Sequence, residues 1–189
     1  MTEQNRKRVA VYCGSALGSR EAFRAEAEAL GTAIAAARLD LVYGGASIGL
    51  MGTVADAVLA GGQQAIGILP AVLADKEIAH EGLTRLEYVP TMHARKARMV
   101  ELADAFLILP GGYGTLDELM EVVTWAQLRM HRKPSILVNS TGYWNGLLQF
   151  LATAVDAGFV KPENNALLRV ASTADEAVAM ALEAIATAE

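Results

Sequence analysis

Short apolar runs alternate with longer amphipathic segments along the whole chain. The short runs predict β-strands at residues 9–13, 39–43, 65–69, 85–89, 105–109 and 135–139. The longer segments predict helices at residues 20–38, 49–60, 93–103, 116–130, 143–157 and 173–187, and residues 71–82, which lack periodicity, are predicted as a loop or short helical turn. Strict alternation of strand and helix predicts an α/β protein: one domain over residues 1–189, with a parallel sheet covered by helices on both faces.

Glycine-rich turns follow three of the predicted strands. They span residues 14–18, 44–49 and 111–114. In a parallel sheet covered on both faces, ligands bind at the carboxyl ends of the strands, near the point where strand order reverses. Three such turns at one edge of the sheet predict a site for an anion the size of a nucleotide.

The third turn has the pattern of a phosphate cradle. The strand ends at Pro110, three glycines follow, and a helical pattern begins at Leu116. Glycines let the backbone approach an anion, and the free N–H groups of a first helical turn point toward it. Glu118 would repel the phosphate, so it suits a ribose hydroxyl or a developing sugar cation. The spacing Thr115-x-x-Glu118 is also that of a capping box, which the pattern alone favours over catalysis, although the two roles are compatible.

Other common nucleotide and cofactor sites are poorly supported. The first turn does not match GxGxxG, and the third is not followed by Lys-Ser or Lys-Thr. The histidines, His80, His93 and His131, lack metal-ligand spacing, so no metal is expected. Pyridoxal phosphate needs a buried lysine, and the candidate, Lys96, stands among arginines. With Arg95 and Arg98 it predicts either an anion-binding helix start or a solvated basic stripe.

The helix after the cradle is apolar on more than one side. One stripe, which should face the sheet, consists of Leu116, Leu119, Met120 and Val123. A second set, predicted to point elsewhere, consists of Val122, Trp125 and Leu128. A surface helix would be polar there, so a partner subunit is expected to cover it. The alternative is that Trp125 packs under the C-terminal helix.

Composition narrows the class of partner. The chain has 189 residues, 53% hydrophobic and 20% charged, and a net charge of −5, which disfavours nucleic acids and anionic membranes as partners. No apolar run approaches the length of a membrane span, the N-terminus does not resemble a secretory signal, and Cys13 is the single cysteine. These features favour a reducing compartment, and we expect a cytoplasmic protein.

Two long motifs resemble those of the Lonely Guy family of cytokinin-activating phosphoribohydrolases, long mislabelled as lysine decarboxylases. Pro110-Gly111-Gly112-Tyr113-Gly114-Thr115-x-x-Glu118 matches the family's PGGxGTxxE, and Met92-His93-x-Arg95-Lys96-x-x-Met99 matches its second motif. Shorter matches occur at residues 11–15, 43–45, 49–52, 76–80, 124–128 and 142–144. Asp117 stands where many members have glutamate. The likeness covers about residues 8–170, nearly the whole chain.

The resemblance implies a Rossmann-like fold, a homodimer, and hydrolysis of the N-glycosidic bond of purine riboside 5′-monophosphates, including AMP, without a metal or organic cofactor. Carried over by position, Arg95 and Glu118 would be catalytic. The residues expected to bind substrate are Glu77, Lys96, Gly111, Gly112, Tyr113, Gly114, Thr115 and Thr124. The base could be adenine or an N6-prenylated adenine. The alternative is a non-catalytic carrier of a nucleotide or of molybdenum cofactor, which would not need both Arg95 and Glu118.

Overall fold

A computed structural model describes residues 6–71 and 79–187 of the chain. Seven strands form its sheet: β1 (Arg8–Tyr12), β2 (Asp40–Tyr43), β3 (Ala65–Pro70), β4 (Arg85–Val89), β5 (Ala105–Ile108), β6 (Ser135–Val138) and β7 (Leu168–Ala171). The helices are α1 (Glu21–Ala36), α2 (Gly49–Ala60), α3 (Met92–Leu102), α4 (Tyr113–Gln127), α5 (Asn145–Asp156), α6 (Pro162–Asn165) and α7 (Ala174–Thr187). The predicted α/β class is confirmed.

All neighbouring strands of the sheet run parallel, in the order β4-β3-β2-β1-β5-β6-β7. The chain winds outward from β1 to β4, returns to the centre, and winds the other way from β5 to β7. Strand order therefore reverses between β1 and β5. The turns that follow these two strands flank the crevice where ligands bind in such sheets.

Alternate residues of the central strands supply two hydrophobic cores. In β1, Val9 and Val11 face the core covered by α1, α2 and α7, whereas Ala10 and Tyr12 face the core covered by α3 and α4. This period of two follows from the pleat of a strand, and burial on both faces explains why the strands read as continuous apolar runs. Two packed faces hold the strand ends rigidly, so the site is built on fixed elements.

Three features differ from the sequence-based predictions. Strand β7 and helix α6 were not predicted; both have only four residues, and Arg169 and Val170 of β7 are exposed at the sheet edge. Helix α4 begins at Tyr113 and not at Leu116, and Gly112 is its N-cap. Most of the loop predicted at residues 71–82 lies outside the described residues.

None of the described helices is long and apolar enough to cross a membrane.

Candidate active site

A cavity of about 250 Å³ opens at the carboxyl ends of β1 and β5, where strand order reverses. Its lining comes from the turns after β1, β2 and β5 and from three helices. The lining residues are Val11, Cys13, Gly14, Ser15, Gly44, Met51, Met92, Arg95, Gly112, Tyr113, Gly114, Thr115, Asp117 and Glu118. All three predicted glycine turns thus contribute to one site, together with both predicted catalytic residues.

The cradle is the junction between β5 and α4. Gly112 is the N-cap of α4, and Gly112, Tyr113, Gly114 and Thr115 all line the cavity. Gly111 packs so closely on the Thr115 hydroxyl and on the Gly14 backbone that a β-carbon there would collide with both. The N–H groups at the start of α4 have no partners within the helix, and the helix dipole favours an anion beside them. This geometry suits a phosphate.

The capping box predicted at Thr115 is wrong. The N-cap is Gly112, which caps the helix without a side-chain hydrogen bond, and Thr115 lies within the first turn, 3% exposed. Helix α4 starts at Tyr113, three residues earlier than the Leu116 that its apolar pattern indicates. Glu118 therefore lies beyond the positions of the box, and it lines the cavity.

Arg95 reaches the cavity from α3 and is 6% exposed. Its guanidinium lies against the Cα of Gly44, where a side chain at position 44 would collide with it. Nη1 lies 4.0 Å from the Met92 sulfur, and Nε has no hydrogen-bond partner within residues 6–71 and 79–187. A buried cation is costly unless an anion lies beside it. The position of Arg95 thus suits an anionic ligand or carboxylate in the cavity.

Glu118 and Arg95 have opposite effects on the pKa values of two buried side chains at the end of β1, Tyr12 and Cys13. Burial raises the pKa of Cys13, with Glu118 adding to the rise and Arg95 opposing it. Burial likewise raises the pKa of Tyr12, again with Glu118 adding and Arg95 opposing. Cys13 therefore remains a thiol at neutral pH, which disfavours a nucleophilic role. Glu118 and Arg95 thus both lie near enough to Cys13 and Tyr12 to affect the pKa values of these side chains.

The basic residues of α3 diverge rather than forming one patch. Lys96 donates to Asp117 at 2.9 Å and pairs with Glu121 at 3.1 Å, so its ammonium joins α3 to α4. Burial alone would lower the pKa of Lys96, but these hydrogen bonds outweigh it and raise the pKa. Arg98 binds Glu87 through two nitrogens, at 2.8 and 3.2 Å. Of these three residues only Arg95 lines the cavity, whereas Lys96 and Arg98 pair with carboxylates. An anion-binding role for this helix start stays a prediction.

Three other predicted contacts have different positions. Thr124 is exposed and does not line the cavity; it lies six residues after Glu118, about 9 Å along the helix axis. Lys96 also lies outside the lining. Glu77 lies outside the described residues. Roles in substrate binding for these three remain predictions.

Gly44 was not predicted as a site residue, although the sequence carried a signal for it. The pair Gly44-Gly45 directly follows β2, and Gly45 has a φ of +84°, a conformation that favours glycine. Only Gly45 is explained by backbone conformation. The glycine at position 44 is explained by the Arg95 guanidinium, which occupies the space that a side chain there would fill. This contact joins residues far apart in the chain.

The predicted outer side of α4 needs correction. Val122 is 1% exposed and belongs to the core under α4, together with Leu119. Trp125 packs against this same core, whereas α7 covers the core on the opposite face of the sheet, so Trp125 does not pack under the C-terminal helix. Leu128, in contrast, is 62% exposed, as predicted for the side that faces away.

In the described part of the chain, no group of three or more His, Cys, Asp or Glu side chains could hold a metal ion.

Sequence comparison places the chain in a known family. The family model described as "Possible lysine decarboxylase" matches residues 51–181. A cytokinin riboside 5′-monophosphate phosphoribohydrolase of Arabidopsis thaliana is 48% identical over 177 residues, covering 94% of this chain and 82% of that protein. A second Arabidopsis enzyme of the same name is 49% identical over 172 residues, covering 91% and 75%. The chain belongs to the Lonely Guy family.

Solved structures with this fold include proteins of a different kind. A molybdenum-cofactor carrier protein from Chlamydomonas reinhardtii has a TM-score of 0.75 at 22% identity, covering 97% of this chain and 99% of that chain. A molybdenum-cofactor binding protein from Rippkaea orientalis has a TM-score of 0.72 at 21% identity, covering 96% and 99%. At these identities the likeness shows the shared fold alone.

Proposed function

We propose that this member of the Lonely Guy family hydrolyses the N-glycosidic bond of purine riboside 5′-monophosphates, releasing the free base and ribose 5-phosphate. The observation that carries the proposal is one cavity that combines a backbone phosphate cradle, a buried arginine and a carboxylate one helical turn beyond the cradle. The named activity of relatives 48% and 49% identical over nearly the whole chain supports the same reaction.

The reaction suits the charges in the cavity. As the bond from C1′ of the ribose to the base breaks, its electrons leave with the base and positive charge develops on the sugar. Glu118 stabilises that charge and orients the water whose oxygen bonds to C1′. The water loses a proton and the base gains one, so the products are a neutral purine and ribose 5-phosphate.

Phosphate and arginine supply the positioning. The start of α4 holds the 5′-phosphate, away from the bond that breaks, and this remote binding energy fixes the ribose beside Glu118. Arg95, with its planar fork of donors, can bind a phosphate oxygen or fix the carboxylate of Glu118. A buried guanidinium and a carboxylate in one cavity favour an enzyme over a carrier, which would require only the cradle.

The residues present do not favour decarboxylation with pyridoxal phosphate. That chemistry requires a lysine to hold the cofactor as a Schiff base. No lysine lines the cavity among the described residues, and Lys96 is engaged by Asp117 and Glu121. The older description of the family therefore finds no support in this site.

The decisive experiment compares AMP with adenosine. Purified protein is incubated with each, and with isopentenyladenosine 5′-monophosphate and its nucleoside, and the released base is quantified by chromatography. We expect release from the monophosphates only, because the cradle binds the phosphate. Comparable turnover of adenosine and AMP would contradict the proposal. The ratio between the two monophosphates identifies the preferred base.

A homodimer is the second part of the proposal. Leu128 and Met130, just past the end of α4, are 62% and 65% exposed, and Phe150 of α5 is 65% exposed. None of the residues of α5 is fully buried, although the helix is amphipathic. Exposed apolar side chains just past α4 and on α5 favour a symmetric contact between two copies of the chain.

A further inference from the structure

We propose that Tyr143 is a positioning residue for the phosphate cradle, acting through the backbone of Gly111. Its hydroxyl donates a hydrogen bond of 2.6 Å to the Gly111 carbonyl. Tyr143 does not line the cavity, so it supports the cradle from behind and does not touch the ligand. The inference rests on the proposed function, because it assigns Tyr143 a part in binding the same 5′-phosphate.

The hydrogen bond fixes a peptide unit that would otherwise be unusually free. The unit joins Gly111 to Gly112, and a peptide between two glycines has the widest choice of orientations. The Gly111 carbonyl lies outside the helical ladder, since the first helical acceptor is Gly112, whose carbonyl receives the Leu116 N–H at 3.0 Å. Tyr143 is the partner that the structure gives to the Gly111 carbonyl.

Fixing the carbonyl also fixes a donor. A trans peptide is planar, and its N–H points away from its C=O. With the Gly111 carbonyl held by Tyr143, the N–H of Gly112 is directed to the opposite side. Gly112 lines the cavity, and its N–H is the first of the donors at the start of α4 that have no helical partner. Tyr143 therefore orients a phosphate donor without meeting the phosphate.

Tyr143 is itself held in place by two aromatic contacts. Its ring meets that of Phe23 edge to face, with centroids 5.6 Å apart, and that of Trp144 at 4.8 Å. Trp144 is 2% exposed and anchors the segment to the core. Edge-to-face pairs of this kind restrict the ring, so the phenol oxygen stays at a fixed height above Gly111.

The turn that carries Tyr143 is tied to the rest of the fold on both sides. The Asn139 side chain accepts from the Trp144 N–H at 2.9 Å and donates to Asn145 at 2.9 Å. The buried carboxylate of Glu26 accepts hydrogen bonds from both the backbone N–H and the hydroxyl of Ser140. Tyr143 therefore connects the cradle to α1 and α5, whose contacts hold it in place.

The test is the substitution Tyr143→Phe, which removes the hydroxyl and keeps both ring contacts. Isothermal titration calorimetry measures the affinity for ribose 5-phosphate and for adenine, neither of which is turned over. We expect ribose 5-phosphate to bind about threefold to tenfold more weakly, the usual net effect of one hydrogen bond, while the affinity for adenine is unchanged. The matched control is Tyr88→Phe, an exposed phenol on edge strand β4, which should change neither affinity.

Several outcomes would overturn the proposal. The first is equal affinity of the wild type and Tyr143→Phe for ribose 5-phosphate. The second is a parallel loss of affinity for ribose 5-phosphate and for adenine, which would indicate general damage to the site. The third is a wild type that does not bind ribose 5-phosphate at all. AMP hydrolysis is measured separately. A wild type that binds ribose 5-phosphate but leaves AMP intact would contradict the proposed function and leave the comparison at Tyr143 valid.

Discussion

The guanidinium of Arg95 occupies the space beside the Cα of Gly44 that a side chain at position 44 would fill. The two residues come from different elements, the first turn of α3 and the turn after β2. Because the Met51 sulfur also borders this space, the guanidinium has little room to move. A glycine on one element thus sets the position of a charged side chain on another.

Gly44→Ala should therefore impair turnover through Arg95. The added methyl collides with the guanidinium and the Met51 sulfur, and relief of such overpacking costs about 1–3 kcal/mol. We expect a fall in kcat/KM for AMP similar to that of an Arg95 substitution. The control is Gly146→Ala in α5, where a β-carbon meets nothing within 4 Å and alanine favours the helix. Equal activity of Gly44→Ala and wild type would show that Arg95 has another productive position.

Glu118→Gln should nearly abolish turnover while substrate still binds. The amide keeps the shape but loses the charge that opposes the sugar cation, and loss of such a preorganised group lowers kcat about 10²–10³-fold. The variant's kcat and KM for AMP are measured together with its melting temperature. The control is Glu183→Gln on the exposed side of α7. A normal kcat with a lowered melting temperature would show that Glu118 is structural.

Arg95→Lys should lower kcat/KM for AMP at least about tenfold, since an ammonium cannot reproduce a planar fork of donors. The matched change on the same helix is Arg98→Lys. Arg98 binds Glu87 and Glu101 outside the cavity, so its loss should lower the melting temperature and spare activity. Equal kinetic losses for the two variants would indicate a diffuse basic patch and contradict the role given to Arg95.

The strands and the ligand-binding edge could be predicted from sequence because their signals are local. Each buried strand is a continuous apolar run, and the turns after β1, β2 and β5 are marked by glycines. Strand β7 could not be predicted in the same way, because it is short, lies at the edge and carries the exposed Arg169. Burial on both faces gives an interior strand its continuous apolar run. The other edge strand, β4, was predicted because its five residues include the apolar Leu86, Tyr88 and Val89.

The phosphate cradle of the candidate site could be predicted from sequence, but the pairing of its charged side chains could not. The glycines after β5 indicate a phosphate-binding turn. No local sequence pattern indicates that Lys96 pairs with Asp117 and Glu121 while its neighbour Arg95 lines the cavity. Adjacent helical residues point in directions about 100° apart, so the divergence depends on which side of α3 faces the sheet. The hydrogen bond from Tyr143 to Gly111 joins residues 32 positions apart and has no local signal at all.

Glu26→Gln should change how stability depends on pH. Burial raises the pKa of Glu26 above its usual value, against the opposing hydrogen bonds from Ser140. The folded state therefore holds this proton more tightly than the unfolded state, so the contribution to stability is present at low pH and is lost as pH rises through the raised pKa.

We accordingly expect the melting temperature of Glu26→Gln, relative to that of the wild type, to rise as pH increases from the usual glutamate pKa of about 4 into the neutral range. Calorimetric scans at several pH values measure the difference. The control variant is Glu163→Gln, at an exposed position in α6. A constant difference between Glu26→Gln and wild type across the range would show that Glu26 titrates normally.

The surface past the end of α4 allows a direct test of the proposed homodimer. Val122 and Trp125 are poor sites for a charge, because Val122 lies in the core under α4 and Trp125 packs against it. A charge at either position would destabilise the single chain and obscure any effect on the dimer. Leu128 is 62% exposed, and a charge there should alter the stability of a single chain by no more than about 0.5 kcal/mol. In a dimer sealed by this surface, Leu128→Glu instead places two like charges near the symmetry axis.

Light scattering at micromolar concentration should give a wild-type mass near twice the 20.0 kDa of one chain, and Leu128→Glu should shift it toward one chain. Turnover of AMP should fall with the dimer, because α4 also carries Glu118 and the cradle and a shift of the helix moves both. The control is Leu182→Glu on α7, which covers the opposite face of the sheet and should leave mass and turnover unchanged.

An active wild type with the mass of one chain would exclude the dimer. A Leu128→Glu variant that stays dimeric would place the contact elsewhere, with the exposed side of α5 around Phe150 as the next surface to alter.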